Sequence, residues 1–231
     1  MAGEGRGLTR RQAAFGLAAL PILPTVACNR ATPPPLASAQ PSALRDDPGA
    51  LVELITLDRD IRLDIRYATT NNFTGRILYP QARAFLVAAA AGALVRAQVA
   101  AKADGYGLLI HDAYRPWSVT KALWDSTPPA KRSFVADPKQ GSRHNRGCAV
   151  DLTLYDRCMG QAVEMPSAYD EFSERAYRSY DGGSALASQN RARLERYMTA
   201  QGFVGISNEW WHFDYQDWRN YPILDVAFSA L

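Results

Sequence analysis

Apolar and polar positions alternate along this chain with two periods. Between residues 80 and 104 the sequence is alanine-rich, with Leu86, Leu94 and Val95 supplying bulk. Alanine is the best helix former, and Gly105 is a suitable stop, so this stretch is expected to be a helix. Tyr106–Ile110 follows as a short β-type run. A helix is expected from Trp117 to Trp124, directly after Pro116. The run Ala149-Val150-Asp151-Leu152-Thr153-Leu154 reads as a strand. In residues 187–201, Leu194, Tyr197 and Met198 recur three and four apart, which predicts a helix ended by Gly202. Phe203 to Ile206 and Trp210 to Tyr215 then read as two closing strands. Strands and helices do not alternate as regular βαβ units. The expected class is therefore α+β, a single domain with a central, mainly antiparallel sheet flanked by helices.

The first residues have a different character. Arg6, Arg10 and Arg11 precede an apolar run from Ala13 to Ala27 that Pro21 and Pro24 interrupt. A basic head and a short apolar body form the pattern of a secretory signal, and the run is too short and broken to span a membrane comfortably. Thr9-Arg10-Arg11 resembles a twin-arginine export signal, with a general secretory signal as the alternative. Thr25-Val26-Ala27-Cys28 resembles a lipobox, although Thr25 stands where an aliphatic residue is usual. Ala37-Ser38-Ala39 is a competing cleavage site, but it lies far from the apolar run, behind three prolines. The expected division is a signal at 1–27, a Pro/Ala/Ser-rich flexible spacer at 28–50 and a catalytic domain at 51–231. Cys28 is the expected lipidation site. It would attach an exported protein to the periplasmic face of a membrane or elsewhere in the cell envelope.

Composition sharpens this picture. The formal charge is +3, and the segment before Cys28 contributes +2 of it through Arg6, Arg10, Arg11 and Glu4. A nearly neutral remainder gives no electrostatic case for nucleic acid. An apolar content of 47% with 21% charged residues excludes a wholly disordered chain. Export implies an oxidising compartment, where Cys148 and Cys158 either pair or remain separate thiols.

The three histidines are His111, His144 and His212. His144 is followed seven residues later by Asp151, a carboxylate entering an apolar strand. Such a group is costly unless paired or metal-bound. Glu209 lies three residues before His212. Two histidines and one carboxylate form a usual catalytic zinc set with a position left for water. Asp151 is the expected third ligand and Glu209 the expected general base. A regular strand would point Glu209 and His212 to opposite faces, so the base role requires a bend near Asn208-Glu209.

These motifs also have recognisable context. Ser142-Arg143-His144, Gly147-Cys148-Ala149-Val150-Asp151 and Glu209-Trp210-Trp211-His212 resemble the zinc D-alanyl-D-alanine dipeptidases. That family includes the vancomycin-resistance dipeptidase and is related to the zinc D,D-carboxypeptidases. Asp64-Ile65-Arg66-Tyr67-Ala68-Thr69 with Asn71-Asn72-Phe73-Thr74-Gly75 resembles its N-terminal signature. Asp112-Ala113-Tyr114-Arg115-Pro116 and Met165-Pro166 with Asp170-Glu171-Phe172 resemble further segments, in chain order. The resemblance spans about residues 51–220. It implies one Zn2+ on His144, Asp151 and His212, with Glu209 as base and Arg115 stabilising the oxyanion. It also implies Ser142, Asp170 and Tyr67 as substrate contacts, Asp170 for the ammonium of a small dipeptide. His111 matches no ligand and reads as structural. The implied activity is hydrolysis of D-alanyl-D-alanine. Alternatives are a D,D-carboxypeptidase or endopeptidase acting on longer peptidoglycan peptides, and a non-catalytic lipoprotein that binds cell-wall peptides.

Overall fold

The computed structural model describes residue 1 and residues 49–231. The signal at 1–27, the lipidation site Cys28 and all but the end of the spacer lie outside the described residues. Among those described, no helix is long and apolar enough to cross a membrane.

The described residues form seven strands and four α-helices. The strands are β1 (Leu51–Glu53), β2 (Arg62–Leu63), β3 (Phe85–Val87), β4 (Tyr106–Asp112), β5 (Ala149–Asp156), β6 (Phe203–Ile206) and β7 (Glu209–Tyr215). The helices are α1 (Leu54–Leu57), α2 (Ala88–Ala103), α3 (Trp117–Ser126) and α4 (Ala185–Thr199). A five-stranded sheet has the order β2-β4-β5-β7-β6, and β1 and β3 form a separate antiparallel pair. Only β2 runs parallel to its neighbour in the larger sheet. The expected α+β class with a mainly antiparallel sheet is therefore observed.

The helix expected over 80–104 begins later, at Ala88. Phe85, Leu86 and Val87 are all buried and pair with β1, so sheet burial wins over the helix propensity of the flanking alanines. α2 and α4 pack on each other and on the sheet. The alanines of α2 are small enough for its backbone to lie close to the strands, and Ala90, Ala93 and Ala97 are fully buried. β5 is central and buried along nearly its whole length. Its Val150, Leu152 and Leu154 join one apolar cluster with Leu94, Leu194 and Met198 of the helices. Each such side chain contributes about 1.5–3 kcal/mol by leaving water. The intervening Asp151 takes the opposite face of the strand.

The strand also settles the cysteines. Cys148 precedes β5 and Cys158 follows it in the next turn, so the eight-residue strand holds them roughly 20 Å apart. A disulfide needs Cα atoms within roughly 7 Å. Cys148 is accordingly a buried free thiol whose S–H meets the Arg146 carbonyl at 3.3 Å.

Two irregularities shape the sheet. The β4–β5 ladder slips between Ile110 and Asp112, leaving His111 unpaired and setting Asp112 opposite Asp151. On the other side, Gly205 pairs with Phe213 but the next residue, Ile206, pairs with Glu209. Residues 210–212 of β7 thus bulge away from β6. Just before β5, Gly147 adopts φ +63°, and a Cβ there would sit 2.6 Å from Leu51 Cδ2 and 3.1 Å from the Val87 nitrogen.

Two outcomes follow. Gly147→Ala is expected to destabilise the protein by about 2 kcal/mol or more, read as a lower denaturation midpoint. Burial pushes the Cys148 thiol up to about 12. Native protein at pH 8 should leave Cys148 unalkylated by iodoacetamide, whereas denatured protein should react fully, as read by peptide mass.

Candidate metal centre and active-site cleft

The cross-strand registers bring the chemistry together. Asp112 pairs with Asp151, and Asp151 with His212, so three polar residues on three adjacent strands form a row across the sheet. His144 joins from a one-turn helix, His144–Arg146, that ends in the left-handed Gly147. Asn145 pins that turn. Its side-chain amide donates to the Arg115 carbonyl and to Thr120 Oγ1, both at 2.8 Å, and its oxygen accepts from the Ser142 N–H at 2.8 Å. The Arg115 N–H reaches the His144 carbonyl at 3.1 Å. The arginine segment and the histidine turn are thus tied to each other directly.

His144 Nε2, His212 Nδ1 and Asp151 Oδ1 converge on one point. The two nitrogens are 3.2 Å apart, and Asp151 Oδ1 lies 2.9 Å from His212 and 3.4 Å from His144. Each imidazole's other nitrogen has an acceptor. His144 Nδ1–H donates to the Ala113 carbonyl at 2.6 Å, and His212 Nε2–H donates to Asp214 Oδ1 at 2.9 Å. These partners leave the inner nitrogens to present lone pairs. Three inward-facing acceptors repel one another unless a proton or a cation lies between them. Ligands about 2.0–2.2 Å from a tetrahedral centre stand about 3.3–3.6 Å from each other, close to the two spacings that involve His144 and somewhat wider than the 2.9 Å between Asp151 and His212. The three residues are buried and form a set able to hold a metal ion. A proton on His212 Nδ1 is one such positive charge. Burial opposes charge on His212, but the Asp151 and Asp214 carboxylates outweigh it and hold its pKa well above the ordinary value.

The cleft above this point is lined by every residue expected to bind metal, substrate or the reacting atoms, namely Tyr67, Arg115, Ser142, His144, Asp151, Asp170, Glu209 and His212. The bulge in β7 supplies the bend that the base role required. It brings Glu209 Oε2 to 3.8 Å from His212 Nδ1, on the same side of the strand. Burial, reinforced by the Asp151 charge against the pull of His212, pushes the Glu209 carboxyl up to about 7. A group with that pKa both takes and returns a proton near neutrality. Arg115 is buried and gripped by Asp112 Oδ2 through Nε at 2.9 Å and Nη2 at 2.6 Å. Its guanidinium lies 5.2 Å over the Tyr67 ring. Burial disfavours its charge, yet the Asp112 carboxylate keeps its pKa well above the usual range. The Tyr67 hydroxyl donates to Asp170 Oδ2 at 2.8 Å. Asp170 has φ +57°, a left-handed backbone uncommon for a residue other than glycine. Burial and the nearby Asp151 charge raise its pKa well above the carboxylate range. Ser142 Oγ accepts from the His144 N–H at 3.2 Å.

Four neighbours escape a search for ligands alone, namely Asp112, Asn145, Tyr169 and Asp214. Asp112 opens a recognised motif, Asp214 lies just past another and Asn145 follows His144, but their partners are set by strand register and turn geometry. His111 is buried beside Asp64 and stacks on Tyr169, with ring centroids 4.7 Å apart.

A buried imidazole–carboxylate–imidazole set on the floor of an open cleft, with a further carboxylate beside it, is the construction of a single-metal hydrolase. The family model described as D-Ala-D-Ala dipeptidase, Peptidase_M15, matches residues 47–228. The chain belongs to that family of zinc metallopeptidases. It is 39% identical to the D-alanyl-D-alanine dipeptidase of Escherichia coli over 184 residues, covering 80% of this chain and 94% of the relative. The Enterococcus faecium enzyme of the same name is 36% identical over 70% of this chain and 89% of its own. Among solved structures, the LD-carboxypeptidase LdcB superposes with a TM-score of 0.40 at 20% identity, over 75% of this chain and 72% of its own.

The Asp112–Arg115 grip generates a prediction. Asp112→Ala leaves a buried guanidinium uncompensated and removes the acceptor of the Tyr79 hydroxyl, now 2.7 Å away. The expected loss of stability is roughly 3–5 kcal/mol, measured by denaturant unfolding.

Proposed function

We propose that the protein hydrolyses the dipeptide D-alanyl-D-alanine to D-alanine, with one zinc ion held by His144, Asp151 and His212. The observation that carries this reading is the convergence of three acceptor atoms within 3.4 Å of one another beside Glu209. The dipeptide substrate comes from the family and its relatives.

Zinc bound at this set supplies a Lewis acid and lowers the pKa of a bound water to about 7. Glu209 takes the proton of the attacking water and returns it to the leaving amine. Arg115, its charge fixed by Asp112, presents N–H donors to the carbonyl oxygen as negative charge grows there. Such preorganisation needs no side-chain movement during the reaction, because both guanidinium bonds to Asp112 are already made. Asp170 receives the substrate ammonium. Its ionised form is opposed by burial and by Asp151, and a bound cation relieves that opposition. Tyr67 holds the Asp170 carboxylate in place, and Ser142 borders the same cleft.

The proposal extends to location. Arg6, Arg10 and Arg11 before a short apolar run support export through a signal at 1–27. The lipobox-like Thr25-Val26-Ala27-Cys28 supports lipidation of Cys28 and anchoring in the cell envelope, with periplasmic exposure. Palmitate labelling of the full chain should occur and should disappear in Cys28→Ala.

The activity is tested directly. Purified protein should contain zinc, release D-alanine from D-alanyl-D-alanine and lose activity to a chelator. Glu209→Ala should lower kcat by about a hundredfold or more while zinc content is retained. Zinc-free, inactive wild-type protein would sink the catalytic reading. Faster cleavage of a pentapeptide than of the dipeptide would favour the carboxypeptidase alternative.

A further inference from the structure

Asp151 has two carboxylate oxygens, and the structure treats them differently. Oδ1 faces His144 Nε2 and His212 Nδ1 at 3.4 and 2.9 Å. Oδ2 instead accepts a hydrogen bond from the Tyr169 hydroxyl at 3.0 Å. A carboxylate can offer a metal one oxygen or both. With Oδ2 engaged by a phenol, Oδ1 alone is free to point at the two imidazoles.

The phenol is itself held from several sides. Its ring stacks on His111 at 4.7 Å, with the planes 29° apart. It meets Trp211 edge-on at 5.4 Å and Tyr67 edge-on at 6.5 Å. His111 is unpaired in the sheet because of the slip in the β4–β5 ladder, and its ring lies beneath Tyr169. Its Nδ1 is 3.4 Å from an Asp64 carboxylate oxygen. The residue after Tyr169 is Asp170, whose φ of +57° turns its carboxylate toward the Tyr67 hydroxyl. Two consecutive residues therefore serve the metal set and the proposed ammonium site.

We propose that Tyr169 is a positioning residue. Its hydroxyl fixes Asp151 as a one-oxygen ligand, and the His111 ring holds the phenol in place. This rests on the reading of His144, Asp151 and His212 as the zinc set. Partners that orient metal ligands commonly change metal affinity by about ten- to a hundredfold when removed. His111, which has no ligand role in the sequence, thereby gains a task two contacts from Asp151.

The test uses the full-length protein, with zinc affinity measured by competition against a chromophoric chelator. Visible spectra of the Co2+-loaded form report coordination, and unfolding of the metal-free form reports the fold. Tyr169→Phe keeps the ring and removes only the hydroxyl. It should weaken zinc about ten- to a hundredfold and reduce the intensity of the cobalt bands as the second carboxylate oxygen enters. The metal-free unfolding midpoint should stay at the wild-type value. His111→Ala should shift zinc affinity in the same direction but less, and should add nothing when combined with Tyr169→Phe. Wild-type zinc affinity and an unchanged cobalt spectrum in Tyr169→Phe would overturn the proposal, as would full additivity in the double variant. If the wild type itself bound neither zinc nor cobalt, the reading of the metal set would fail instead.

Discussion

The arrangement depends on one unfavourable encounter. Two imidazole nitrogens and a carboxylate oxygen point at each other across 2.9–3.4 Å in a buried place. The fold holds them there by spending other groups around them. The Ala113 carbonyl and the Asp214 carboxylate take the outward N–H groups, so each ring has one orientation and one tautomer to offer. Tyr169 occupies the second oxygen of Asp151. A positive ion at the centre turns that mutual repulsion into attraction. Metal affinity and the cost of building the site are thus two sides of the same electrostatics.

The sheet is what makes such crowding possible. β5 lies between β4 and β7, so Asp151 has Asp112 on one side and His212 on the other. Asp112 carries the consequence outward, since the carboxylate beside Asp151 grips Arg115 and accepts from Tyr79. Both ladders that flank this row are irregular. One slip frees His111 to lie under Tyr169, and the larger one folds Glu209 back toward His212. Regular ladders would have put Glu209 on the far side of β7 and His111 directly opposite Asp151. Bulges of this kind re-aim side chains beside functional sites, and here the one in β7 turns Glu209 into the cleft.

Much of this was legible along the chain. The helices near residues 117–126 and 185–199, the strands from Tyr106, Ala149 and Phe203, and the α+β class followed from periodicity and from stops such as Gly105 and Gly202. So did the pairing of His144 with Asp151, because a carboxylate opening an apolar strand requires a partner. Phe85–Val87 carries helix-like surroundings in sequence yet forms a strand, since local propensity carries no information about pairing with β1. A Cys148–Cys158 bond was open from their closeness in sequence and is closed by the extended strand between them.

By itself, the sequence determined which groups were available: three histidines, a carboxylate in a buried strand, a glutamate near His212, an arginine before a proline and a helix. Family context assigned them an activity. The tertiary structure alone decided which atoms face one another. Strand register matched Asp151 to His212, a bulge turned Glu209 inward, Asn145 tied the arginine segment to the histidine turn, and Tyr169 chose one oxygen of Asp151 over the other. Composition and periodicity describe neighbours along the chain. Ligand geometry depends on displacements of an ångström or less between residues about 60 positions apart, and only the packed sheet fixes those.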